Sequence, residues 1–256
     1  MTKRVAITAY AGLAYLVAMI SLAYIVGFLA DFGVPKGIND GPDSPVWLAL
    51  ITDAGLVALF GLHHSTTARR RFKVWWTGYV PPSIERATYL YMTAGMTFIL
   101  VALWRPIPVT IWRVDQPTLA AVIVTFYLAV WLLMYASTFQ FGHLSFFGLQ
   151  QALDRFRRRP AGSTTFTARY LYALVRHPIS VGWMLTPWLT PHMTVGQLTY
   201  AVSIMVYVLI ATRFDEADLV EELGDRYLEY RKKVPAFIPG LATREESTNT
   251  SLQESR

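Results

Sequence analysis

Long apolar runs separated by polar segments are the feature that most constrains the fold of this chain. The first run covers residues 5–30 without a charged side chain, and about 20 apolar residues suffice for one helical crossing of a bilayer. The fifth run is interrupted by Pro178 and Pro187. We predict an all-α polytopic transmembrane helical bundle of five to six spans, at residues 5–30, 46–62, 88–104, 118–139, 170–191 and 193–211.

The composition agrees with a membrane protein and excludes several kinds of chemistry. Hydrophobic residues make up 54% of the chain and charged residues 16%, whereas soluble domains carry about 25% charged residues. The absence of cysteine excludes disulfides, thiolate metal sites and a cysteine nucleophile. Basic loops at a membrane surface account for the net charge of +6, so we predict no nucleic-acid partner.

The basic side chains are distributed unevenly among the loops. The two termini and two long loops hold 20 Lys and Arg residues, and the remaining loops hold 3. The positive-inside rule therefore predicts six crossings with both termini in the cytosol. Arg69, Arg70 and Arg71 are followed by Trp75 and Trp76, and we expect this basic, aromatic segment to anchor the chain on membrane lipid.

We predict one integral membrane domain over residues 1–242, composed of residues 5–139 and residues 140–242. The first run is too long for the apolar part of a signal peptide, so we expect it to remain as a helix. Residues 243–256 are rich in Ser, Thr, Glu and Gln and lack aromatic side chains, which predicts a disordered tail.

A predicted acidic helix from Asp215 to Tyr230 contains one acid on its apolar face. At helical spacing, Glu216 shares a face with Tyr227 and Tyr230, whereas Asp215 faces elsewhere. A partly buried carboxylate needs a cationic or hydrogen-bonding partner. That partner is either a bound ligand or an arginine such as Arg176, and the residues alone leave both alternatives open.

A second candidate segment begins at Arg176 and His177. Pro178 starts a helix there, and cationic groups at a helix start suit a carboxylate or phosphate. Contact with lipid headgroups is the alternative. Gly182, one turn further, permits close approach of a ligand or of another helix.

The remaining polar candidates lie at span ends or within a span. Asp53 is an acid inside the second span, where it is either functional or hydrogen-bonded within the bundle. His63, His64 and His143 could be bases, substrate contacts or haem ligands, and each is more often an interfacial histidine without chemistry. Glu85 and its neighbour Arg86 could form a local pair at a helix start.

These residues also resemble a known family pattern. Arg-His-Pro at 176–178 with Gly182, Asp-Glu at 215–216, Gly-Asp-Arg-Tyr at 224–227 and Tyr-Arg at 230–231 are similar to membrane methyltransferases related to isoprenylcysteine carboxyl methyltransferase and to NnrU-type proteins. Matches from about residue 10 to 240, among them His-Ser at 64–65, Glu-Arg-Ala-Thr-Tyr at 85–89 and Trp-Arg-Pro at 104–106, resemble the bacterial methanethiol S-methyltransferases.

The resemblance implies methylation of a small thiol, methanethiol, to dimethyl sulfide in the bacterial cytoplasmic membrane. It implies S-adenosyl-L-methionine bound by a cytosolic C-terminal helix and the segment before it, without a metal. The implied cofactor residues are Arg176, His177, Pro178, Gly182, Glu216, Tyr227 and Tyr230. Because a thiol is mostly protonated at neutral pH, a base would assist, and the candidates are His64, Glu85 and His143.

The chain departs from the family pattern at a few positions. Asp215 stands where the family often has glutamate, and Ile179 and Ser180 follow the proline where a tyrosine is frequent. A larger lipid-like thiol or carboxylate is the alternative acceptor. A haem-binding membrane electron carrier is the alternative from another class, although no two histidines are predicted mid-span on facing helices, as bundle haem sites require.

Overall fold

The structure is a computed structural model that describes residues 2–157 and 169–240, and it is mostly helical. Residues 243–256, the predicted tail, lie outside the described residues. In chain order the helices and strands are α1 (Thr2–Ala30), α2 (Val46–Ala68), α3 (Arg70–Trp76), α4 (Glu85–Leu103), β1 (Thr110–Arg113), α5 (Pro117–Ser137), α6 (His143–Phe146), α7 (Leu149–Arg157), α8 (Leu171–Leu174), α9 (Pro178–Leu185), β2 (His192–Thr194), α10 (Val195–Leu223) and α11 (Asp225–Lys233).

The predicted polytopic helical bundle is confirmed. Among the described residues, five helices are long and apolar enough to cross a membrane, namely α1, α2, α4, α5 and α10. Their outer faces expose large apolar side chains such as Leu16, Phe126 and Leu132, which suits contact with lipid. The protein is therefore an integral membrane protein.

The predicted span at residues 170–191 is not one continuous helix. Short α8 ends at Leu174, α9 begins at Pro178, and a 3-10 turn at Thr186–Trp188 follows. Pro178 occupies the first turn of α9, where proline is tolerated, and Pro187 lies in the 3-10 turn, because proline cannot donate a hydrogen bond inside an α-helix. This segment still connects the two ends of the bundle. It begins at Arg176, next to α11, and ends at Pro191, whose carbonyl oxygen accepts a hydrogen bond from Val114 N close to β1 and β2.

The end of the bundle opposite α11 is closed by a small sheet and a turn-rich loop. Strands β1 and β2 pair antiparallel, and Lys36 Nζ donates to Ala102 O and Trp104 O at the end of α4. Asp53 is fully buried, and its Oδ1 accepts from the backbone N–H of Arg105 at 2.9 Å. Asp53 thus hydrogen-bonds the chain just beyond α4.

The expectation of a single helix from Asp215 to Tyr230 is wrong. Helix α10 ends at Leu223 and α11 begins at Asp225, because Gly224 adopts φ +58°, a left-handed conformation that glycine reaches readily. The break turns α11 back, so that Tyr227 and Tyr230 pack against the last turns of α10. The predicted apolar face is therefore assembled from two helices.

Candidate functional site

A cavity of about 610 Å³ lies between α1, α2, α4, α5, α9 and α10. Most of its wall is apolar and aromatic, as at Phe60, Trp131, Trp183 and Tyr200. Its ionisable and hydrogen-bonding side chains include a group on α2, α4 and α10, namely His64, Ser65, Arg86, Tyr89, Tyr207 and Asp215, and further Ser and Thr hydroxyls line the wall elsewhere. An apolar chamber with a few convergent polar groups is the usual form of a small-molecule site.

His64 is the base candidate that lines this cavity. The hydroxyl of Tyr89 lies 3.1 Å from the His64 ring nitrogens, and the ring of Phe60 stacks on His64 with centroids 5.5 Å apart. Ser65 Oγ and Tyr207 OH form a neighbouring hydrogen bond at 3.3 Å. The apolar run of α2 ends at this position, which brings His64 and Ser65 to the wall of the cavity.

Arg86 is a cation in the same wall. Its Nε donates to Phe146 O at 2.9 Å, and its guanidinium carbon lies 5.3 Å and 5.6 Å from the ring centroids of Tyr89 and Phe146. The local pair with Glu85 is not formed, since no carboxylate among the described residues makes an ion pair with Arg86.

Asp215 lines the cavity, whereas we expected it to face away from the packed side of its helix. Arg69 explains the difference, because its guanidinium bridges Asp215 at 2.9 Å and Asp218 at 2.8 Å. Arg70 pairs with Glu221 at 3.3 Å. These two arginines tie the end of α2 and the start of α3 to α10. Arg70 remains 76% exposed, and the lipid contact expected for this segment stays a prediction.

A second polar group of residues, Arg176, His177 and Glu216, joins the start of α9 to α10. Glu216 Oε1 accepts from Arg176 Nη2 at 2.6 Å, Arg176 Nε at 2.7 Å and His177 Nε2 at 2.9 Å. Arg176 Nη1 also donates to the carbonyls of Arg231 and Val234. The ion pair that the sequence left open is present, and Oε2 of Glu216 makes no hydrogen bond with the described residues.

The other predicted cofactor residues surround this ion pair. Pro178 starts α9, and Gly182 faces Met134 of α5 so closely that a Cβ there would clash with it. Burial raises the pKa of Tyr230 to about 12, so its hydroxyl stays protonated and donates to Tyr172 O. Burial also raises the pKa of Tyr227.

The predicted cofactor residues stand beside the cavity and not in its wall. Within the described residues, the wall includes Ser180 and Asp215 but none of the seven predicted residues. Ser180 follows His177 by three positions, and Asp215 precedes Glu216. The ion pair and the cavity are therefore neighbours that share α9 and α10.

His143 and Glu85 are not part of the cavity wall that the described residues form. His143 Nε2 lies 2.9 Å from Tyr15 OH, and its Nδ1 lies 2.7 Å from Thr138 Oγ1. Both ring nitrogens are thus engaged, and burial lowers the pKa of His143. Glu85 lies in the first turn of α4, where a carboxylate is favourable.

Comparison with known proteins assigns the family. A methanethiol S-methyltransferase of Pseudomonas sp. is 38% identical over 225 residues, which are 88% of this chain and 86% of that protein. A methanethiol S-methyltransferase of Mycobacterium tuberculosis is 37% identical over 237 residues, 93% of this chain and 97% of that protein. The chain belongs to the methanethiol S-methyltransferase family.

A more distant relative is Nurim of Homo sapiens, which is 27% identical over 209 residues, 73% of this chain and 78% of Nurim. No family model and no solved structure matches the chain. The relatives in the methanethiol S-methyltransferase family favour neither the haem carrier nor the larger lipid-like acceptor. Within the described residues no three His, Asp or Glu side chains are grouped closely enough to hold a metal ion.

The methanethiol S-methyltransferase family assignment gives new weight to residues that sequence reasoning missed. Arg86, Tyr89, Tyr207 and Asp215 line the cavity without having been proposed as site residues. Arg86 and Tyr89 lie inside the Glu-Arg-Ala-Thr-Tyr match at 85–89, and their three-residue spacing puts both on one face of α4. That spacing is the sequence signal that could have identified Arg86 and Tyr89 as site residues.

Proposed function

We propose that this protein transfers a methyl group from S-adenosyl-L-methionine to methanethiol and releases dimethyl sulfide. The observation that carries the proposal is a largely apolar cavity whose few polar groups adjoin the Glu216 ion pair, in a chain of this family. A methyl sulfonium and a thiolate lose their opposite charges as they react, so an apolar site favours the reaction over water.

The residues at hand fit a cofactor of this chemistry. S-adenosyl-L-methionine supplies a methyl group on a positively charged sulfur. Glu216 Oε2, without a hydrogen bond to the described residues, offers an acceptor to ligand hydroxyl or amino groups. His177 stands beside it, and Arg176 holds Glu216 in place from a nearly buried position, with 4% of its side chain exposed. Pro178, Gly182, Tyr227 and Tyr230 support this group through packing.

Toward the cavity, other side chains suit the reacting end of such a cofactor. Asp215 offers a carboxylate to a cation, and the faces of Trp131 and Trp183, whose centroids are 5.0 Å apart, favour positive charge. His64 accepts the thiol proton. A thiol of two heavy atoms occupies roughly 60 Å³, twice the volume of a water molecule, so it would fill only about a tenth of the 610 Å³ cavity.

The proposed setting is the bacterial cytoplasmic membrane with both termini in the cytosol. Among the described residues, the basic side chains of Arg69, Arg86 and Arg176 lie near the cavity's polar end, which agrees with the positive-inside rule. Charged cofactor would then enter from the cytosol, and a small apolar thiol would arrive through the lipid. Residues 1–242 would act as one domain, since α1, α2, α4 and α5 from the first part and α9 and α10 from the second all line the cavity.

The proposed cofactor site is tested by titrating the purified protein with S-adenosylhomocysteine, the product form of the cofactor. Glu216→Gln is expected to weaken binding about 10- to 100-fold, because a hydrogen bond to a charged group contributes about 1.5–3 kcal/mol. Glu221→Gln on the same helix, which removes an exposed pair with Arg70, is the matched control and should stay within about twofold of the unmodified protein. Equal affinity in both variants would remove Glu216 from the cofactor site.

A further inference from the structure

Arg86 is held in a defined position at the cavity wall. Gly148 has φ +73°, and a Cβ there would lie 2.7 Å from Arg86 Cγ and 2.8 Å from Arg86 Cβ. The stem of Arg86 therefore packs directly on the backbone at Gly148. The hydrogen bond from Nε to Phe146 O then fixes one edge of the guanidinium.

The positive charge of Arg86 has no anionic partner among residues 2–157 and 169–240. Two other partly or fully buried arginines near the polar end are paired, Arg69 with Asp215 and Asp218, and Arg176 with Glu216. The rings of Tyr89 and Phe146 face the guanidinium, but a ring face neutralises no charge. A partly buried cation that lines a cavity and makes no ion pair favours binding of an anion.

Tyr89 connects this cation to the proposed base. Its ring faces Arg86 and its hydroxyl contacts the His64 ring at 3.1 Å. An anion near Arg86 would therefore lie near a group that can accept a proton. The acceptor of the proposed reaction generates such an anion when its S–H bond breaks.

We propose that Arg86 binds the acceptor sulfur as a thiolate, a role that rests on the proposed methyl transfer. The thiol gives its proton to a ring nitrogen of His64, so an N–H bond forms while the S–H electron pair stays on sulfur. The Arg86 charge would stabilise that thiolate until its lone pair attacks the methyl carbon. The new S–CH3 bond would form as the methyl–sulfonium bond breaks, with that electron pair returning to the cofactor sulfur, so that neutral dimethyl sulfide and S-adenosylhomocysteine result. The ligand class at this position is a compact, monoanionic sulfur nucleophile.

The test compares Arg86→Gln and Arg86→Lys with Arg70→Gln, a matched arginine at the exposed pair outside the cavity. A cation beside an acid lowers the pKa of that acid by about 1–3 units. In Arg86→Gln, kcat/KM for methanethiol at pH 7 should fall about 10- to 100-fold, and its rising pH limb should move up by about 1–2 units. The defect should shrink at high pH, where the thiol ionises unaided, and S-adenosylhomocysteine affinity should stay within about twofold.

The two Arg86 variants distinguish an electrostatic role of this side chain from a purely structural one. Arg86→Lys keeps the positive charge, so the rising limb of its pH profile of kcat/KM should stay close to that of the unmodified protein. If the glutamine variant does not fold, the lysine variant carries the test. A loss of activity equal at every pH in both variants would assign Arg86 a structural role and overturn the proposal. A tenfold loss of S-adenosylhomocysteine affinity would also overturn it, because Arg86 would then bind the cofactor.

A binding measurement separates this proposal from the proposed function. Thiophenol, whose thiolate absorbs in the ultraviolet, is titrated with pH in the presence of S-adenosylhomocysteine by difference spectroscopy. The bound thiol should ionise at a lower pH in the unmodified protein than in Arg86→Gln, and equal ionisation would overturn the role of Arg86. Absence of thioether formation by the unmodified protein, despite cofactor binding, would count against the proposed function instead.

Discussion

Glu216→Ala is expected to lower the free energy of unfolding by about 3–5 kcal/mol, because it leaves a buried cation without its counter-ion. Arg176 exposes 4% of its side chain and Glu216 15%, and the two are bridged at 2.6 Å. Removal of the carboxylate leaves the Arg176 guanidinium without an anionic partner, although the carbonyls of Arg231 and Val234 still accept from it. Thermal or denaturant unfolding in one detergent, followed by circular dichroism, measures the change.

The control for this prediction replaces both partners at once. Arg176→Met combined with Glu216→Leu removes both charges and should recover a large part of the loss, since an apolar pair of similar volume is often neutral. Unchanged stability of the single alanine variant would mean that the ion pair does not support the fold. The alanine variant is a poor probe of cofactor binding, which is why the binding titration uses Glu216→Gln.

His64→Gln is expected to lower kcat by about 10²- to 10⁴-fold at neutral pH, the range typical for loss of a general base. Glutamine keeps a hydrogen-bonding side chain next to Tyr89 but cannot accept the thiol proton at neutral pH. Activity should partly recover at high pH, where solvent deprotonates the thiol. Initial rates of thioether formation against pH, at saturating cofactor, measure the effect.

Substitutions of two other histidines serve as controls for the predicted effect of His64→Gln. His192→Gln, at the opposite end of the bundle near Thr110, should leave kcat within about twofold. His143→Gln should act mainly on stability, because both nitrogens of that ring are bonded to neighbouring side chains. A large loss of kcat in His143→Gln with little loss in His64→Gln would move the base to His143.

The spans were predictable from the sequence because the bilayer sets one strong length requirement. A run such as residues 5–30 has no soluble alternative, and its helix is confirmed as α1. The predicted span at residues 170–191 was only partly right, since Pro178 and Pro187 divide that segment into short helical pieces and not one continuous helix. Gly224 was also missed as a break, because a single glycine inside an apolar pattern does not reveal a left-handed conformation.

The candidate site was only partly predictable, for a physical reason. Periodicity put Glu216 on a packed face, and the structure supplies its partner, Arg176. Periodicity could not indicate that Arg69 would draw Asp215 to the cavity, or that Arg86 would remain without a carboxylate. Both depend on which helices pack together across more than 100 residues of chain, as between Arg69 and Asp215, and one helix's own pattern carries no such information.

The most direct test of the proposed reaction is headspace gas chromatography on the purified protein supplied with S-adenosyl-L-methionine and methanethiol. We expect dimethyl sulfide to accumulate in proportion to enzyme, and its rate of formation to fall by about 10²- to 10⁴-fold in His64→Gln at neutral pH. No dimethyl sulfide from unmodified protein that binds S-adenosylhomocysteine would contradict the assigned acceptor. Dimethyl sulfide from His64→Gln at the unmodified rate would contradict the assigned cavity.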